Sequence, residues 1–199
     1  MHIRAPAILV AARQHGETAV VARFLTEEYG LIAGYVAGGR GRQLRPVVIP
    51  GNAVDLQLSA KSDSQLPFAK IELTDSRGPW LAEPLPAAAI GWICALTATA
   101  LPERQPYPTL FEALSGTLDA ICHAPSARGW ASALVGYEAL LLRELGYGGA
   151  GGRPEGELSE IIEIMDALSE PLDHYLLADR RGDVMAARTR LRALLKRIA

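Results

Sequence analysis

Three arginines, Arg40, Arg42 and Arg45, fall within six residues of one another, and the first two alternate with glycine in Gly38-Gly39-Arg40-Gly41-Arg42. Guanidinium forks grip phosphate oxygens bidentately, and glycines let backbone N–H groups come close to an anion. Arg13, Arg23, Lys61 and Lys70 lie in the same N-terminal stretch, where Tyr29 and Tyr35 offer rings for stacking unpaired bases. The chemistry these residues suit is the holding of a nucleic-acid backbone, with Arg40, Arg42, Arg45, Arg13 and Arg23 as its contacts. A solvated surface turn is the competing reading, and composition alone does not separate the two. The loop has no following Gly-Lys-Ser/Thr and no Gly-x-Gly-x-x-Gly, so nucleotide hydrolysis is not expected.

Elsewhere the chain is poor in reactive constellations. His2, His15, His123 and His174 are scattered, no serine sits in a Gly-x-Ser-x-Gly elbow, and Glu27-Glu28 is adjacent rather than spaced as an acid/base pair. Neither an enzyme nor a cofactor is expected. Cys94 and Cys122 are far apart, which fits a reduced cytoplasm and not a zinc site. Trp92 and Trp130 stand among alanines and leucines at helical positions, where core packing is the better reading.

The elements that must position the arginines are strands. Up to residue 76, β-branched runs separated by turn residues predict strands at Ala7–Gln14, Ala19–Thr26, Leu31–Val36, Ala53–Ala60 and Phe68–Thr74. In the fourth, Val54, Leu56 and Leu58 alternate with polar residues, and the fifth repeats this through Ile71 and Leu73. Gly30 closes a tight Glu27-Glu28-Tyr29 connection where positive φ is needed. Five short strands with no helix between them predict a closed barrel. An OB-fold is the commonest answer, and an SH3-like barrel gives the same pattern.

After Ser76-Arg77-Gly78-Pro79 the period becomes helical. Helices are expected over Pro84–Ala100, Thr109–Cys122, Ala127–Leu145, Glu157–Leu168, Leu172–Ala178 and Val184–Ile198, with Thr109 and Ser126 as N-caps. The fold class is therefore α+β: a barrel domain over residues 1–78 and a helical domain over 79–199. The helical domain contains a glycine-rich loop at 146–156 and a basic amphipathic helix over 183–198. That last helix sets Val184, Ala187, Leu191, Leu194 or Leu195, and Ile198 on one face, and Arg181, Arg188, Arg192 and Lys196 on another. It either docks on the bundle with its charges solvated, or carries its arginines to phosphates or to the acidic middle of the chain.

Formal net charge is −2, but its distribution is uneven. Residues 1–78 hold nine Lys and Arg against seven Asp and Glu, residues 79–179 four against fourteen, and residues 180–199 seven against one. DNA is thus expected at the barrel, with the acidic middle facing proteins or solvent. No run of roughly 18 apolar residues, the length of a membrane span, exists, so export and membrane insertion are not expected.

The order of Arg13-Gln14-His15-Gly16-Glu17, Phe24-Leu25-Thr26-Glu27-Glu28-Tyr29-Gly30 and Val36-Ala37-Gly38-Gly39-Arg40 resembles the opening of the RecO family. Leu101-Pro102-Glu103, Pro106-Tyr107-Pro108, Tyr137-Glu138 and Leu145-Gly146-Tyr147 are similar to its helical half, and together these motifs cover roughly residues 10–150. The resemblance implies an OB-fold and a helical domain in a non-enzymatic mediator of DNA repair and recombination. It implies binding of single- and double-stranded DNA, strand annealing, and contact with the tail of single-stranded DNA-binding protein. It also implies cooperation with a RecR-like partner to load RecA, and a cytoplasmic, nucleoid-associated location. Arg40, then Arg42 and Arg45, inherit the DNA contact. Many members carry a four-cysteine zinc module after the Leu-Gly-Tyr segment; here Gly148–Ser159 has no cysteine. The alternative function is a scaffold of the repair machinery that does not touch DNA.

Overall fold

The computed structural model describes residues 2–62, 65–148, 153–178 and 184–199. The strands are β1 (His2–His15), β2 (Ala19–Thr26), β3 (Gly30–Val36), β4 (Ala53–Ser59) and β5 (Phe68–Asp75). The helices are α1 (Pro84–Ala100), α2 (Pro108–His123), α3 (Ala127–Glu144), α4 (Leu158–Ala167), α5 (Ser169–Pro171) and α6 (Met185–Leu195). A 3-10 turn spans Gly78–Ala82, and α5 runs on into a π-helical turn, Leu172–Leu177. Arg181 and the glycines at 149–152 lie outside the described residues.

The strands close in the order β1-β2-β3-β5-β4, and only β3 and β5 run parallel. This is the OB-fold-like ring, and closure leaves no unpaired edge. β1 starts at His2 rather than Ala7, because Pro6, which reads as a breaker, is accommodated opposite Asp55. The first half of β1 pairs with β4, its second half pairs with β2, and a bulge between Leu9 and Ala11 bends it from one to the other. Leu9, Phe24 and Leu56 fill the interior with no exposed surface. The alternation expected of β4 holds, whereas in β5 only Ile71 is buried. Leu73 is 36% exposed, because the ladder shifts register between Ala53 and Val54, its partner.

Two backbone details hold the barrel's connections. Gly30 has φ +68°, and a Cβ there would stand 2.1 Å from the carbonyl oxygen of Gln105, so this turn requires glycine for both reasons. The Thr26 hydroxyl donates to the Gly30 carbonyl (3.0 Å) and accepts from the Tyr29 N–H (3.1 Å), closing the β2–β3 turn. Asn52, fully buried, donates to the carbonyls of Pro46 and Val47 (3.0 Å each) and accepts the Arg77 N–H (2.7 Å).

One compact unit comprises Met1–Ala82 with Leu101–Phe111, and the other Glu83–Ala100 with Glu112–Ala199. The Leu101–Phe111 segment, which sequence placed among the helices, thus packs with the barrel: Arg104 N–H donates to the Leu31 carbonyl at 2.9 Å. α2 begins at Pro108, a residue suited to a helix's first turn because it lacks an N–H to satisfy. Thr109 is therefore inside the helix and not its cap. Ser126 does occupy the N-cap of α3, without a side-chain hydrogen bond.

In the helical unit Trp92, Glu138 and Arg188 meet with essentially no exposure. Trp92 Nε1 donates to Glu138 Oε1 (2.7 Å), and Arg188 grips both oxygens of that carboxylate (2.9 and 2.7 Å). The guanidinium carbon lies 5.8 Å from the centre of the Trp92 ring. Arg188 is thus a buried anchor of α6, not part of a solvated basic face. Beside this trio the Tyr137 hydroxyl bonds Thr97 (2.7 Å), and burial pushes its phenol well above the ordinary tyrosine range.

Candidate nucleic-acid interface

The glycine-arginine loop leaves β3 through Gly38 at φ +66°, and Gly39 packs its backbone on Val20, whose Cγ2 would be 3.0 Å from any Cβ. This approach brings Arg40 over the β1–β2 turn. Its backbone N–H donates to the Thr18 carbonyl (3.0 Å) and its Nη1 to the Glu17 carbonyl (2.8 Å). From Gly41 the chain coils, with Arg45 N–H donating to the Gly41 carbonyl at 2.9 Å, which turns Arg45 back toward Arg40. The two arginines line a groove of about 330 Å³ whose other described walls are Ala12, Gln14, Val20, Gly39 and Val48. No carboxylate is among them, and a guanidinium has five donors, so the groove offers several N–H groups at one anion-sized place.

The remaining expected contacts are spread more widely. Arg42 is exposed but does not line the groove, and Arg13 is exposed on β1 opposite Val21. Arg23 is engaged by Glu103 at 3.0 Å, which takes up part of its capacity for phosphate. Tyr29 and Tyr35 stand at opposite ends of β3, about 20 Å apart at the rise of a strand. Only Tyr35 lies near the arginine loop: its ring meets that of His15, 5.8 Å between centres, and His15 pairs with Ala19 across the β1–β2 turn. Sequence reasoning missed Gln14, whose exposed side chain carries no signal beyond its place at a strand end.

Three cations of the basic last helix, Arg188, Arg192 and Lys196, are engaged internally. Besides Arg188, Arg192 forks onto both oxygens of Asp166 and Lys196 Nζ stands 3.6 Å from the same carboxylate. Hydrogen bonds from Arg192 hold the Asp166 carboxyl below its ordinary range, outweighing the effect of burial. These are contacts to the acidic middle segment, one of the two roles open to this helix.

The family described as Recombination protein O N terminal matches residues 1–77, and that described as Recombination protein O C terminal matches residues 84–149. The DNA repair protein RecO of Rhodospirillum centenum is 34% identical over 230 residues, covering 92% of this chain and 90% of the relative. The chain belongs to the RecO family. Proteins of the same name from a Ruegeria species and from Phenylobacterium zucineum are 40% and 36% identical, each over 74% of this chain. These matches cover only 61% and 60% of the two relatives. The 230-residue alignment is longer than this chain, so the Rhodospirillum RecO has segments without a counterpart here.

A four-cysteine zinc module of the RecO type cannot be assembled from Cys94, buried in α1, and Cys122 in α2. Where the described chain resumes, it is pinned to α3 by polar contacts instead. Arg153 Nη2 donates to the Gly129 carbonyl (2.6 Å), its Nε to Ser132 Oγ (3.1 Å), and Ser132 Oγ in turn to the Pro154 carbonyl. Gly136 leaves room for the Arg153 backbone, whose Cα would be 3.2 Å from a Cβ. No helix among the described residues is long and apolar enough to cross a membrane.

Proposed function

We propose that this RecO-family chain, whose family places it in DNA repair, is a non-enzymatic mediator that binds DNA through its barrel. Single and double strands are both gripped by phosphate contacts without base specificity. Holding two strands on one cationic surface screens their repulsion and promotes annealing. The helical unit takes the protein contacts: the tail of single-stranded DNA-binding protein and a RecR-like partner, through which RecA is loaded. The site of action is the cytoplasm, at the nucleoid.

The observation that carries this reading is the Arg40–Arg45 groove, preorganised by the Glu17 and Thr18 carbonyls and free of carboxylates among its described walls. Affinity for a single strand falls with salt by about 0.7 log units per log unit for each phosphate contact. Arg40→Ala with Arg45→Ala is therefore expected to flatten the slope of log K against log salt by about 1.4. A double variant that binds as tightly as the parent, with the same slope, would leave the scaffold reading in place of this one. Annealing of strands coated by single-stranded DNA-binding protein tests the partner contact in the same preparation.

A further inference from the structure

Phe68, at the start of β5, is 62% exposed, more than any other large apolar side chain described. Burying a ring is normally favourable, so a barrel that leaves one outside has given up stabilisation at that point. The ring does not stand alone: Tyr35 packs edge-on against it, 5.3 Å between centres, and His15 packs edge-on against Tyr35. The T-shaped contact holds the Phe68 ring in place, and its 62% exposure leaves most of the ring open to solvent.

The surroundings point to one class of occupant. Grooves of about 510 and 710 Å³ adjoin at Phe68, sharing His2 and Ser59; Arg4 and Lys70 line the first, and Lys61 the second. No carboxylate lines either among the described residues. Strand register orders the outer face into rows: His2–Ser59–Phe68, then Arg4–Gln57–Lys70, then Pro6–Asp55–Glu72. The surface passes from aromatic through cationic to acidic within three rows. At the other end of the rings, His15 belongs to the β1–β2 turn on which Arg40 is fixed. Cations, three rings and cations thus follow one another across the barrel.

Resting on the reading that the barrel binds DNA, we infer that Phe68, braced by Tyr35 and His15, is a stacking platform for an unpaired base. The flanking Arg4, Lys70 and Arg40 hold the phosphates on either side. In a duplex the base faces are already stacked, so a platform adds nothing there, and the track prefers single strands. The strand follows the Phe68 and Lys70 rows and avoids the Glu72 row.

The test is binding of the full chain to three probes at one salt concentration: a short oligothymidylate, the same strand with abasic positions, and a duplex. Phe68→Ala is expected to weaken oligothymidylate binding by roughly 5- to 150-fold, the effect of one stacked base, and to leave the other two probes unchanged. Phe68→Trp is expected to restore affinity and to show indole fluorescence quenched by the strand, which a merely structural role would not produce. An equal loss on all three probes, or no loss on oligothymidylate, overturns the platform. In the second case Arg40→Ala with Arg45→Ala still weakens every probe if the DNA-binding reading stands. A parent that binds none of them at low salt removes both.

Discussion

Asn52 and Gly30 hold the barrel's turns by different physical means, and each gives a clean expectation. Asn52→Ala removes the donor to the Pro46 and Val47 carbonyls and the acceptor of the buried Arg77 N–H, three hydrogen bonds at once. A buried group that loses its hydrogen bond costs about 1–3 kcal/mol, so a loss of that order is expected from denaturant unfolding with no change of slope. Gly30→Ala meets the Gln105 carbonyl and a positive φ together, and is expected to destabilise by a similar amount or more. The two were unequally visible beforehand. Gly30 follows a Glu27-Glu28-Tyr29 turn and announces its conformation through its type, whereas Asn52 sits in a Pro-Gly-Asn break that reads as an ordinary turn. Its partners lie up to 25 residues away, beyond the reach of any local pattern. Phe68 was hidden for a related reason: the alternation through Ile71 and Leu73 sets it on the other face of β5, but no local pattern shows that Tyr35 of β3 comes to lie against it.

At the scale of elements, α6 shows how a periodicity can be right and its meaning incomplete. The expected split into an apolar and an arginine face holds only in part: Arg188 shares the buried face of α6 with Leu191 and Leu195, because Glu138 on α3 supplies a carboxylate 50 residues away, and Ile198, expected on the apolar face, is 55% exposed. Breaking a buried pair from one side costs more than removing both charges. Arg188→Met is therefore expected to destabilise by about 3–5 kcal/mol. Adding Glu138→Gln, which keeps an acceptor for Trp92 Nε1 and removes the charge, is expected to recover part of that loss in a double-mutant cycle. The outer contact of the same helix behaves differently. Asp166 has its pKa lowered in the folded state, so its stabilisation is complete above the unfolded carboxylate value and is lost as pH falls through the folded one. Both partners are over a third exposed, so the effect is small and screened by salt. Asp166→Asn is expected to flatten the acid limb of stability against pH, visibly only at low ionic strength. The early start of β1 and the departure of Leu101–Phe111 to the barrel were illegible at this scale, since Pro6 and a proline-rich connection both read as interruptions.

For the whole molecule, the decisive quantity is how few cations are available to DNA. Net charge is −2, the acidic residues 79–179 offer little to a phosphate backbone, and three cations of the last helix are engaged with Glu138 and Asp166. The barrel track presents Arg40, Arg45, Arg4, Lys70 and Lys61. Two to five phosphate contacts correspond to a single-strand salt slope between about −1.4 and −3.5, shallow beside strongly basic binders. The exposed Arg13 and Arg42 would extend this to about −4.9, so a measured slope near −6 or steeper would demand cations outside the barrel, with Arg190 and Arg197, exposed on and after α6, as the first to examine. Substituting both by serine then separates the cases. An unchanged slope confines the strand to the barrel, whereas a slope reduced by about 1.4 makes the last helix part of the DNA surface despite its docked face.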